Sequence, residues 1–147
     1  VGTINKNYTT DASGKVYVVI SKLVPKTYTA VIKFAGDSNY VGSSVNATVV
    51  VKKATPKLTA KAKTFKTTTK TKKYTITLKD NTGKAIKKAK VTLKVNGKTY
   101  KATTNSKGKA TFKITKLNKK GTYKATVTYK ANKYYNKALR KVIILAR

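Results

Sequence analysis

The chain has 147 residues, a length that suits one domain or two small ones. It carries 35 Lys and Arg against 3 Asp and no Glu, a net charge of +32, and it has neither His nor Cys. That composition removes the usual general bases, thiol nucleophiles and disulfides. The chain is therefore read as a non-enzyme that takes no cofactor.

Only Arg140 and Arg147 are arginines. An A/T-rich genome would supply Lys, Asn, Tyr and Ile by codon drift. Glutamate has equally A/T-rich codons and is absent, so the charge asymmetry reads as selected. A chain this positive repels itself and prefers polyanionic company. The candidates are an anionic cell-wall polymer, an acidic glycan, nucleic acid or an acidic protein. No apolar run approaches the ~18 residues of a membrane span, so no transmembrane segment is expected. The chain opens at Val1 with no initiator Met, and it is expected to be a piece of a longer protein.

The first segment, Tyr8 to Lys53, reads YTTDASGKVYVVISKL, TYTAVIKFAGDSNY and VNATVVVKK. Its apolar side chains alternate: Val16, Val18 and Ile20, then Tyr28, Ala30 and Ile32, then Val49 and Val51. Period two is the signature of a strand with one buried face. Pro56 resists a helix and a central ladder, so residues 54–56 read as a linker. A strand is expected over Lys73 to Leu78, followed by a turn at Asp80-Asn81-Thr82-Gly83. Lys90 to Val95 alternates again, and Asn96-Gly97 marks a two-residue hairpin turn. A turn at Asn105 to Gly108 precedes the alternating runs Lys109 to Ile114 and Thr122 to Tyr129. No stretch shows a helical stripe. The expected core is Tyr74, Ile76, Leu78, Val91, Leu93, Phe112, Ile114, Tyr123, Val127 and Ile144.

The chain repeats itself. KATTNSKGKATFKITKL, TYKATVTYKANKYY and RKVIILAR in Lys101 to Arg147 follow the order of the three blocks in Tyr8 to Lys53. Gly14 matches Gly108, Leu23 matches Leu117, Tyr28 matches Tyr123, Phe34 matches Tyr129 and Tyr40 matches Tyr135. The period of roughly 94 residues is the size of one small β-sandwich. The expectation is an all-β, immunoglobulin-like two-sheet sandwich at 57–147, preceded at 1–53 by the C-terminal half of another. About four strands in the half repeat cannot close a sandwich. Its apolar face would stay open unless another copy of the chain, or the complete repeat, covers it.

These blocks resemble the bacterial-type Ig-like repeats of the large adhesin-like surface proteins of methanogenic archaea. The resemblance lies in NSKGKATFKITKL, GTYKATVTY and GDSNYVGSSVNATVVV, with LKDNTGKAIKKAKVTLKVNGKTY as the opening hairpins. It implies a secreted protein of stacked domains at the cell surface or cell wall that presents a binding surface or builds a stalk. Ala131 to Tyr135 departs from Gly36 to Tyr40 by losing the Gly and the Asp, so no role of Asp37 is expected to carry over.

The densest lysine clusters are Lys61, Lys63, Lys66, Lys70, Lys72 and Lys73, then Lys116, Lys119 and Lys120. These are the candidate polyanion contacts, since lysine is a mobile point charge without bidentate demands. The bland reading is a solvated face that guards strand edges. A pure spacer is one alternative, and sequence-independent nucleic-acid binding is another. The tyrosines sit at inward or loop-end positions, which suits core and corners better than base stacking. Asn7 and Asn46 head sequons, the candidate glycosylation sites of a secreted protein. No metal site is expected: Asp11 and Asp37 are too few ligands in a positive field, and turn formation explains them better. Surface adhesins of this architecture sometimes carry Lys–Asn isopeptide cross-links promoted by a buried acid. In the complete repeat Asp80 alone could promote one, and its turn position argues against it.

Overall fold

The computed structural model describes residues 1–2, 4–20 and 23–147. Strands are the only regular elements among the described residues, and they fall into two compact units, Val1–Lys53 and Ala54–Arg147. The first unit holds β1 (Lys26–Phe34) and β2 (Ser43–Val51). The second holds β3 (Lys57–Thr59), β4 (Lys63–Phe65), β5 (Lys72–Lys79), β6 (Lys90–Val95), β7 (Lys98–Thr103), β8 (Lys109–Ile114), β9 (Gly121–Tyr129) and β10 (Ala138–Ala146).

In the second unit one sheet runs β4-β10-β9-β6-β7 and the other β3-β5-β8. β4 joins β10 in parallel, and the remaining ladders are antiparallel. The chain thus crosses from one sheet to the other between β3 and β4. This is the immunoglobulin-like two-sheet sandwich.

Alternation drives the arrangement. Tyr74, Ile76 and Leu78 of β5, Val91, Leu93 and Val95 of β6, and Phe112 and Ile114 of β8 are almost wholly buried, as are Val127 and Ile144. Each large side chain so buried contributes roughly 1.5–3 kcal/mol. Leu58, Phe65, Leu117 and Tyr129 join the same core. The turn at Asn96-Gly97 has φ of 51° and 74°, and it sets Val95 opposite Lys98. Two successive positive φ values are what a two-residue hairpin turn of the I′ type needs.

Two expectations shift. Tyr123 is half-buried rather than core, because its ring lies at the start of β9, where the hydroxyl donates to the Lys119 carbonyl at 2.7 Å. That is the tyrosine corner of immunoglobulin-like folds. Tyr28 makes the same bond in the first unit, to the Val24 carbonyl at 2.6 Å. The supposed linker at 54–56 is part of the second unit. Ala54 donates to the Tyr134 carbonyl at 3.0 Å and accepts from the Asn136 amide at 2.9 Å, while Pro56 is buried.

The first unit differs from the expected four strands. Among its described residues only β1 and β2 pair, from Lys26↔Val51 to Phe34↔Ser43. The alternating run Val16 to Ile20 forms no ladder, and Tyr17 and Val19 are 81 % and 87 % exposed. Its counterpart β8 pairs with β5 alone, from Lys72↔Ile114 to Thr77↔Lys109, and the described residues of the first unit hold no β5 equivalent. The open face is correspondingly apolar. Ile32 is 56 % exposed, whereas its counterpart Val127 is fully buried. Tyr28 and Ala30 are nevertheless buried, and Val49 and Val51 are half-buried. Gly2 lies close against the Tyr28 ring and Leu23, which covers part of that end.

The two matched glycines show the missing strand directly. Gly108 (φ 74°) lies so close to β5 that an added Cβ would collide with the Leu78 carbonyl oxygen. Gly14 (φ 75°) has nothing within 4 Å. We expect Gly14→Ala to cost about 1 kcal/mol, the penalty of a left-handed non-glycine residue. Gly108→Ala should cost about 3 kcal/mol or more, since it also breaks into the β5–β8 packing. Urea unfolding of the two variants checks this, and equal losses would contradict it.

Candidate functional surface

Inward phases are apolar in the second unit, so the outward phases carry the charge. On the β3-β5-β8 sheet, Lys57 faces Lys79, Thr59 faces Thr77, Thr77 faces Lys109, Thr75 faces Thr111 and Lys73 faces Lys113. Apart from half-buried Thr77, these residues are exposed. The Thr75 and Thr111 hydroxyls are 2.9 Å apart and share a hydrogen bond. Lysine directly opposite lysine is a destabilising pair, by roughly 0.2–1 kcal/mol.

The five-stranded sheet spaces its charges differently. Lys94 faces Thr126 on one side and Thr99 on the other, and Thr92 faces Thr128 and Lys101. Lys141 faces Thr126, and Lys124 faces Ile143. Each of these lysines has an uncharged neighbour straight across the ladder. The two outer faces differ in how like charges are opposed, and also in composition, since β10 turns Leu139 and Ile143 outward.

Of the lysines singled out by density, Lys61, Lys63, Lys66, Lys70, Lys73, Lys116, Lys119 and Lys120 are exposed. Lys63 and Lys73 come together, with the Lys63 ammonium donating to the Lys73 carbonyl at 3.2 Å. Lys116 lies beside Lys98, whose pKa is lowered by desolvation first and by the Lys116 charge next. Lys72 is a correction: it is fully buried and unavailable to a polyanion. It shares the inward phase of Tyr74, Ile76 and Leu78, and its stem runs through the core. Its ammonium stays buried at the start of the strand and donates to the Thr69 carbonyl at 2.7 Å. Among the described residues no buried side-chain nitrogen or oxygen lacks a partner. The lysines that density missed are Lys57, Lys79, Lys109 and Lys113, isolated in sequence and gathered only by the ladders.

The three acids are used as turn acceptors. Asp80 Oδ1 accepts from the Thr82 and Lys84 amides and from the Thr82 hydroxyl, at 2.8, 3.0 and 2.6 Å. Asp11 Oδ1 accepts from Ser13 and Lys15, and Asn105 does the same with Lys107 and Lys109. Asp37 Oδ1 accepts from Asn39 and Tyr40 at 2.8 Å each. Against expectation this role is carried into the complete repeat: Asn132 Oδ1 accepts from Tyr134 and Tyr135 at 2.8 Å each. An amide oxygen serves as well as a carboxylate here, so losing the Asp leaves the turn intact. Asp80 is therefore held at a turn and is no buried promoter of a Lys–Asn cross-link. No cluster of three metal-ligating side chains occurs among the described residues. Asn7 and Asn46 are both exposed, Asn46 on β2 opposite Val31. No helix among the described residues is long and apolar enough to cross a membrane.

No protein-family model matches the chain, and no curated protein does. Three solved structures show a loose likeness. A Ca2+-stabilized adhesin that helps an Antarctic bacterium bind ice is 14 % identical, with a TM-score of 0.38 over 82 % of this chain and 32 % of that one. Drosophila N-cadherin EC1-4 is 15 % identical, with a TM-score of 0.44 over 85 % and 34 %. A 1.5-MDa bacterial ice-binding adhesin is 14 % identical, with a TM-score of 0.38 over 82 % and 42 %. The chain thus spans under half the length of each. The functional reading rests on the chain's own surface.

The turn geometry gives a test. The Thr82 hydroxyl, ahead of the Lys84 and Thr82 amides and the Lys84 charge, holds the Asp80 carboxyl below its ordinary value, with slight burial opposing. A depressed carboxylate stabilises the fold above the unfolded pKa of about 4 and loses that contribution as pH falls through the folded value. Asp80→Asn should unfold within about 0.5 kcal/mol of the parent at pH 7 and show a shallower loss below pH 4. Asp80→Ala should cost about 1 kcal/mol or more at pH 7. Urea melts at pH 7 and pH 3 read both.

Proposed function

We propose that the chain is a non-enzymatic repeat module of a secreted, cell-surface adhesin or stalk. It holds an anionic cell-wall polymer or glycan through many weak lysine contacts. One observation carries the reading: the outer face of the β3-β5-β8 sheet is built from lysine and threonine alone, and that of the five-stranded sheet from lysine and threonine with Leu139, Ile143 and Leu145 of β10, while the acids are spent on turns. A face meant only for solubility is served equally well by mixed charge. The ordered blocks NSKGKATFKITKL and GTYKATVTY, similar to those of methanogen surface repeats, support a place in a stacked extracellular array.

Electrostatic holding has a salt signature. We expect retention on beads bearing an acidic polysaccharide at about 20 mM salt and release by about 0.5 M, where the screening length is ~4 Å. Neutral dextran beads should retain nothing at either salt. Failure to bind the acidic beads at low salt leaves the spacer reading in place. Tighter retention on DNA beads of equal charge load favours nucleic acid.

The open face of the first unit, with Ile32, Phe34 and Val45 about half exposed, is the place where a second copy docks. The chain should therefore sediment as a dimer or larger species at high concentration, and Ile32→Lys should return it to monomer. A monomer at every concentration, with slow amide exchange across Val16 to Ile20, would remove this contact.

A further inference from the structure

We infer that the β3-β5-β8 face, and not the lysine-dense loops, is the contact surface, and that its ligand is a linear acidic polysaccharide lying along β5. This rests on the adhesive reading above and assigns it to one sheet.

The ladders put Lys57 straight across from Lys79 at one end of β5, and Lys73 straight across from Lys113 at the other. Six residues separate Lys73 from Lys79 along the strand, about 20 Å at ~3.3 Å per residue. Neither member of a pair has an acid opposite it, so the pairs repel until an anion sits between them. The five-stranded sheet avoids this opposition by setting Thr or Ile across the ladders from its outward lysines. Two cationic ends on one face therefore define a track for a chain with spaced negative charges.

The middle of the track selects the class of polyanion. Between the ends lie Thr75 and Thr111, exposed hydroxyls 2.9 Å apart that can donate to and accept from sugar hydroxyls. Every outward residue on the three strands is Lys or Thr, so the face offers nothing on which bases can stack. None of these outward residues is an arginine, and Arg140, which reaches β3, spends its Nε on the Leu58 carbonyl at 3.0 Å, so the outward face itself carries no fork for bidentate phosphate recognition. Carboxylates on a hydroxyl-rich polymer satisfy both the ends and the middle.

The test uses the whole chain and polygalacturonate as probe, with affinity read by calorimetry across a salt series. Three double variants each remove two charges: Lys73→Thr with Lys113→Thr, Lys57→Thr with Lys79→Thr, and Lys94→Thr with Lys124→Thr on the other sheet. Threonine is the residue these faces already use, so strand propensity is kept. We expect each of the first two to weaken binding about tenfold or more, and to reduce the slope of log K against log salt by roughly 1.5. The third should weaken it less than about threefold.

Equal losses for all three would overturn the face while leaving the adhesive reading standing. Absence of parent binding to polygalacturonate at low salt sinks the adhesive reading itself. Tighter binding of single-stranded DNA than of polygalacturonate would refute the glycan class. The first two variants should also melt at or above the parent temperature at low salt, because the opposed charges are relieved. A lower melting temperature would show the pairs to be structural and defeat the inference.

Discussion

The β5–β8 ladder is the contact on which the sandwich depends. β8 has no other partner in its sheet, and β5 joins it to β3. Through that ladder Tyr74 meets Phe112 and Ile76 meets Ala110, all almost fully buried. The same side chains cover the inner faces of β6, β9 and β10, where Leu93, Val127 and Ile144 are fully buried. Among its described residues the first unit lacks that ladder, and its apolar face stays open. Its hairpin, its tyrosine corner and its Asx turn at Asp11 form as in the complete repeat, because each is satisfied locally. The Val16 to Ile20 run stays without a ladder because its partner would be a distant strand. Local order is thus separable from closure, and closure belongs to β5.

A net charge of +32 must be carried by that closure. Of the 35 basic residues, 28 lie in Ala54–Arg147, together with a single acid, Asp80. Two ammonium groups 5 Å apart in water repel by roughly 0.8 kcal/mol, and each sits on a long stem that can move it away. Salt weakens the repulsion further. Apolar burial of even a few core side chains outweighs such terms singly. Their sum is nonetheless a standing cost, and it is largest where the ladder fixes Lys opposite Lys. Lys72 shows the limit of tolerance: a lysine in the inward phase is accommodated because its buried ammonium donates to the Thr69 carbonyl.

Most of the fold was legible because period two is a strong signal in this chain. The strands at Lys90–Val95 and Lys109–Ile114, the Asn96-Gly97 turn and nine of the ten expected core residues are found as read. What escaped is what depends on contacts distant in sequence. Ala54 looked like a linker because nothing local reveals its pairing with Tyr134 and Asn136. Lys72 looked like part of a surface cluster because density was weighed above phase, although Tyr74, Ile76 and Leu78 gave the phase. The role of Asp37 looked absent from Ala131 to Tyr135 because the residue type differs there, while the acceptor geometry at Asn132 is the same. The opposed lysines were invisible for the most physical reason: register between β3, β5 and β8 is set by the folded ladders.

The acids complete the electrostatic argument. Asp11 and Asp37 each occupy a position where the other repeat has an asparagine with the same hydrogen bonds, Asn105 and Asn132. Geometry at these turns asks only for an oxygen acceptor, so a carboxylate and an amide are interchangeable there. Negative charge is therefore kept where it is incidental and excluded from the strand faces, where it would neutralise a lysine neighbour. A selection for solubility alone has no reason to make that distinction. A selection for holding a polyanion does, because one acid between two opposed lysines would fill the place of the proposed ligand.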